Sequence, residues 1–227
     1  MRRFNIFQHS HSALRSLLLD TSLLIQFTDF SDPGQVQATF DQVTELVLAC
    51  QRQAEEEARY IIPAISVLHG RVEECFAHGD EQKPSASMKM LNRMNLYEQY
   101  AGTPRAARLA ASIANTSFQK FAEQVIAGMQ LQEEILNPLL WSYYSDDALR
   151  QLHMQIEGRQ TITEWLSLCT WMMKDMSDEE IVSWLLNVRP TLPLQVYEML
   201  LERISGKMPM MRWDNVQTGM TEEAMVA

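Results

Sequence analysis

Apolar residues recur at every third and fourth position along most of this chain, and few residues interrupt them. Between Pro33 and Cys50 the apolar positions are Val36, Phe40, Val43, Leu46, Val47 and Cys50, which fall on one face of a helix with 3.6 residues per turn. Leu14, Leu17, Leu18 and Ile25 keep the same spacing between Ser10 and Phe27. Only 8 of the 227 residues are glycine, so the chain has little of the turn chemistry that hairpins require. The pattern predicts an all-α fold built from long helices.

The interruptions divide the chain. TDFSDPG stops the first helix, after which Ser31 or Asp32 can cap a second with Pro33 in its first turn. That helix is expected to run to about Ala77, kinked at Pro63, which lacks a backbone donor. HGDEQKP, residues 78–84, reads as a turn, and a third helix follows over Ser85 to Tyr100. Gly102 closes it, and Thr103-Pro104 opens a fourth that runs to about Tyr144 with Pro138 inside it. Four such helices with short connections predict an antiparallel up-down-up-down four-helix bundle over residues 1–145. Beyond Ser145 the amphipathic segments shorten, which predicts a small helical subdomain over residues 146–213 packed on the bundle. Ser145, Thr161 or Thr163, and Ser177 are its caps, and Ser177 with Glu180 fits a capping box. Trp165, Trp171 and Trp184 read as anchors between subdomain and bundle. Residues 214–227 read as a flexible tail.

Charge and composition exclude several functions. The net charge is −10 and no basic stripe stands out, so phosphate backbones are repelled and nucleic acid is not an expected partner. Cys50, Cys75 and Cys169 are far apart in helical contexts; they suit buried thiols in a reducing compartment, not a disulfide frame or a zinc cluster. No run approaches the roughly 18 apolar residues that span a bilayer. His9, His11 and Arg15 fall where a signal peptide would be apolar, so the cytoplasm is the expected location. A Gly-rich phosphate loop, a Gly-x-Ser-x-Gly elbow and a Cys–His pair at motif spacing are all missing. The expectation is a non-enzyme without a catalytic residue.

The second and fourth helices share a local pattern. In EARYIIP, Glu57 lies six residues before Pro63; in QEEILNP, Gln132 lies six before Pro138. Four residues earlier stand Gln53 and Gly128. A spacing of four puts two side chains on one helix face, roughly 5–6 Å apart at Cβ. That is the spacing at which a His and a Glu can point at one ion, and two such helices facing each other can hold a metal pair.

HSALR (11–15), EEEARYIIPAI (55–65) and GMQLQEEILNPLLWSYYSDDAL (128–149) resemble the signature segments of the hemerythrin-like, or HHE cation-binding, family. MMKDMSDEEIVSWLLNVRPTLPLQVYEMLLERI (172–204) is similar to the C-terminal extension of its bacterial members. The resemblance implies an antiparallel four-helix bundle with a non-haem di-iron centre that serves oxygen, iron or nitrosative-stress handling. Carried over singly, the first-helix His matches His11. The second-helix His falls on Gln53 and its Glu on Glu57. The third-helix His falls near Asp80, with His78 two residues away. The fourth-helix His falls on Gly128, where the family commonly reads His-Met and this chain reads Gly128-Met129, and its Glu falls on Gln132. A second register, Met129 and Glu133, breaks the six-residue distance to the proline.

His11, Glu57, Asp80 and Glu133 are therefore the residual candidate ligands. One imidazole and one or two carboxylates compensate the four positive charges of two divalent ions poorly. The expectation is a bundle without a metal cofactor, in which Gln53 and Gln132 join Glu57 and His11 in a polar core. Two functional readings follow: a non-catalytic binding or scaffold protein for a protein or small-ligand partner, or a cation-binding (iron) protein with an altered or mononuclear site. Either is compatible with a homo-oligomer.

Overall fold

The computed structural model describes residues 3–66, 86–100 and 103–226. Among them there is no strand, and helix follows helix: α1 (Gln8–Phe27), α2 (Pro33–Glu56), α3 (Ile62–Ser66), α4 (Ala86–Tyr100), α5 (Pro104–Leu131), α6 (Asn137–Tyr143), α7 (Asp146–Glu157), α8 (Ile162–Asp175), α9 (Asp178–Val188), α10 (Leu194–Lys207) and α11 (Met210–Val226). A π-helical turn, Glu57–Ile61, joins α2 to α3, and a second, Gln132–Leu136, joins α5 to α6. No helix among the described residues is long and apolar enough to cross a membrane.

The helix starts follow local chemistry. Asp32 caps α2 by accepting from the Gly34 and Gln35 amides, with Pro33 at the first position. Thr103 caps α5 by accepting from the Ala106 amide at 3.2 Å, again ahead of a proline. Thr161 with Glu164 and Ser177 with Glu180 each form a reciprocal capping box. In each, the hydroxyl satisfies a first-turn amide and the carboxylate reaches back to the cap amide.

The chain divides into two compact units. The first comprises Met1–Phe7 and Leu17–Ile156, the second Gln8–Ser16 and Glu157–Ala227. The expected boundary at residue 145 is therefore displaced. Helix α7 belongs almost wholly to the first unit because Leu149 and Ile156 are buried with Ile6, Phe7, Ile61, Ile65, Leu136 and Leu140 in one apolar cluster. The first turns of α1 are counted with the second unit.

In the first unit, the segment before α1 straps the apolar cluster. Arg3 pairs with Asp146 at 2.6 Å and donates to the Trp141 and Tyr144 carbonyls. The Trp141 indole N–H donates to the Phe4 carbonyl at 2.7 Å, and Asn137 Nδ2 donates to Asn5 Oδ1 at 2.6 Å. Helix α4 packs against both α5 and α2. Thr28 and Thr39 share a hydroxyl hydrogen bond that ties the end of α1 to α2.

In the second unit, α8 packs on α10 and α9 on α11. Trp165 and Trp184 stack with centroids 6.2 Å apart, and Trp171 is buried. Residues 214–226, expected as a tail, are helical. Val216 is fully buried, and Arg212 and Asn215 both donate to the Asp178 carboxylate. Gly219 lies so close to α9 that a Cβ there would stand 2.9 Å from Val182 Cγ2. The apolar contact seen here pairs a valine with a glycine, too short a stripe to read as periodicity.

A carboxylate held by two glutamines

Two proline-terminated helices build the candidate site. Pro63 and Pro138 have no amide to donate, and each ring crowds the carbonyl four residues earlier, on Arg59 and Glu134. A wide turn ahead of each proline relieves this. The Ile62 amide bonds the Glu57 carbonyl, and the Asn137 amide bonds the Gln132 carbonyl, each five residues back instead of four. The kink expected at Pro63 is thus a π turn, and its counterpart stands at the same distance before Pro138. Such turns are concentrated at functional positions in helices generally. The two positions that open the turns are Glu57 and Gln132, the pair the sequence spacing singles out.

Their side chains meet. Gln53, one turn before Glu57 on α2, donates from Nε2 to Glu57 Oε1 at 2.7 Å. Gln132 donates from Nε2 to Glu57 Oε2 at 2.5 Å. Both carboxylate oxygens are therefore occupied by neutral amides, one from the same helix and one from 75 residues along the chain. The two glutamines bond the carboxylate, not each other.

Burial pushes the Glu57 carboxyl up to about 7; the Gln53 hydrogen bond opposes the rise and the neighbouring Glu56 charge adds to it. Near neutral pH the group exchanges between carboxylate and carboxylic acid. The ionised form accepts from both amides. The acid form has an O–H to donate, and a glutamine satisfies it by turning its amide oxygen inward. The cluster can therefore hold or release one proton with both carboxyl oxygens still bonded.

The other candidates are placed as follows. His11 is fully buried, on the part of α1 that belongs to the second unit. Asp80, with His69, Cys75 and His78, lies outside the described residues. Glu133 is half-buried beside Gln132, but it is Gln132 that reaches Glu57. Gly128 lies one turn before Gln132, and a Cβ built on it meets nothing within 4 Å. Met129, the other residue of the second register, is buried. Cys50 and Cys169 are free thiols held protonated by burial, Cys50 up to about 12.

These donors do not fit the di-iron pair that the family resemblance implies. Among the described residues no group of three metal-ligating His, Cys, Asp or Glu side chains includes Glu57. The cluster supplies at most one negative charge, and amides hold both of its oxygens. Two divalent cations there would be left largely uncompensated in a half-buried setting. Comparison with protein-family models, curated proteins and solved structures gives no match for this chain.

Proposed function

We propose that the first unit is a hemerythrin-like four-helix bundle whose di-metal site has been replaced by a carboxylate–amide cluster. In this reading the chain acts as a non-catalytic binding or scaffold protein. The observation that carries it is the bonding of Glu57 by Gln53 and Gln132. Glutamine matches glutamate in shape and reaches the same point in space, but it brings a donor and no charge. A cluster so bonded is satisfied without an ion, which leaves the helices free to serve as a rigid frame for a protein or small-molecule partner.

Ligand restoration tests this reading. Ferrous iron added under air to the native chain should produce neither visible ligand-to-metal absorption nor a rise in melting temperature. The triple variant Gln53→His, Gly128→His, Gln132→Glu should gain both, because it restores two imidazoles and a carboxylate, and Gly128 has open space to receive a side chain. A native chain that already develops the absorption and the thermal shift favours the cation-binding reading instead.

A further inference from the structure

The second unit carries a cationic pocket of its own. Helices α8 and α10 each end in a turn with one lysine, Lys174 and Lys207. The two helices pack together, and their last turns bring both ammonium groups to the same indole. Lys174 Nζ stands 4.2 Å from the centroid of the Trp171 ring and Lys207 Nζ 5.6 Å from it. The first turn of α11 adds Arg212. Its guanidinium is fixed by Nε on Asp178 Oδ1 at 2.7 Å and Nη2 on the Met176 carbonyl at 2.6 Å, while Nη1 has no protein partner among the described residues.

These three cations line a cavity of about 310 Å³. Its remaining wall is largely apolar, formed chiefly by Met173, Ile204, Met208 and Pro209, and no carboxylate among the described residues lines it. In a chain of net charge −10, three basic groups around one cavity, one of them paired with Asp178, are a marked local reversal. A lysine in the last turn of a helix offsets the negative end of the macrodipole. That explains one lysine per helix. It does not explain why both converge on one ring beside an anchored arginine and an apolar hollow. Met173 and Ile204 are each about 1% exposed, so the floor is firm. Lys174 and Arg212 are half-buried, while Lys207 is exposed at the mouth.

We infer that this pocket binds a small organic carboxylate with an apolar body. Small-ligand sites combine an apolar lining with a few convergent polar groups, at volumes of roughly 300–1,000 Å³, and this one lies at the lower end. The carboxylate meets Lys174, Lys207 and the outer edge of the Arg212 guanidinium. The hydrocarbon body lies along Met173, Ile204, Met208 and Pro209. The Trp171 face fixes the lysines through cation–π attraction, so the cationic end is organised before the ligand arrives.

Calorimetric titration of the full chain with hexanoate, hexanol and inorganic phosphate tests this, with tryptophan fluorescence as a second readout. Hexanoate is expected to bind at least tenfold more tightly than either control and to change the tryptophan emission. Lys207→Glu, a change at an exposed residue, should weaken hexanoate binding at least tenfold with an unchanged circular dichroism spectrum; Lys174→Gln should weaken it in the same direction. Equal binding of hexanol and hexanoate overturns the cationic end of the assignment. Phosphate binding as tight as hexanoate overturns the apolar end. Hexanoate binding unaffected by either lysine variant, or no hexanoate binding at all, overturns the site.

Discussion

Gln132 Nε2 donates to Glu57 Oε2 at 2.5 Å, joining the first residue of one π-helical turn to the first residue of the other. Gln53 completes the arrangement from one turn earlier on α2. A single half-buried carboxyl thus becomes the junction of two helices, each widened ahead of a proline.

The folded-state value of Glu57 is raised to about 7, above the roughly 4.3 of a free glutamate. The folded state therefore binds the proton more tightly than the unfolded state. The associated stability is fully present below about pH 4.3 and is lost as pH rises through about 7. Urea denaturation should show stability falling by about 3–4 kcal/mol over that window. Glu57→Gln should flatten this slope and leave the variant more stable than the native chain at pH 8. An unchanged slope in the variant would assign the pH dependence to another group.

A second variant isolates the cross-helix bond. Gln132→Ala leaves Glu57 Oε2 without its donor while Gln53 remains. The loss should be about 1–2 kcal/mol and larger at pH 8 than at pH 5, because the ionised carboxylate needs the donor more. Chemical denaturation at the two pH values checks it; an equal loss at both would mean that the side chain acts through packing alone.

A matched pair of glycine substitutions separates open space from contact. A Cβ on Gly128 meets nothing within 4 Å, so Gly128→Ala should stabilise by about 0.5–1 kcal/mol through the helix propensity of alanine. A Cβ on Gly219 would stand 2.9 Å from Val182 Cγ2, and valine has little rotamer freedom with which to yield. Overpacking costs about 1–3 kcal/mol and outweighs the propensity gain, so Gly219→Ala should destabilise by about 1 kcal/mol. Melting curves of the two variants should shift in opposite directions.

Helix starts were legible in the sequence because their causes are local. The Asp32-Pro33 and Thr103-Pro104 starts and the Ser177–Glu180 box need only neighbouring residues. The Gln53–Glu57 contact was legible for the same reason, since four residues make one turn. Gln132 meeting Glu57 followed from the repeated distance to proline, which registers one helix against the other. Pro63 and Pro138 announced a missing donor but not how the backbone would absorb it. The unit boundary depends on where Leu149 and Ile156 are buried and on which side the first turns of α1 are counted, both long-range matters. The final helix reads as a tail in the sequence because Gly219 fits against Val182 of α9, and a glycine that fits against a valine leaves no hydrophobic trace. Lys174 and Lys207 are 33 positions apart, so their convergence on Trp171 is visible only once α8 and α10 are packed.

In the proposed reading the Glu57 cluster is complete without a metal. Elemental analysis by inductively coupled plasma mass spectrometry, on the full chain purified without chelator or affinity metal, tests it most directly. Iron and manganese are expected far below one equivalent per chain, unchanged by Gln132→Ala. Two equivalents of either metal, lost on Glu57→Ala, would contradict it.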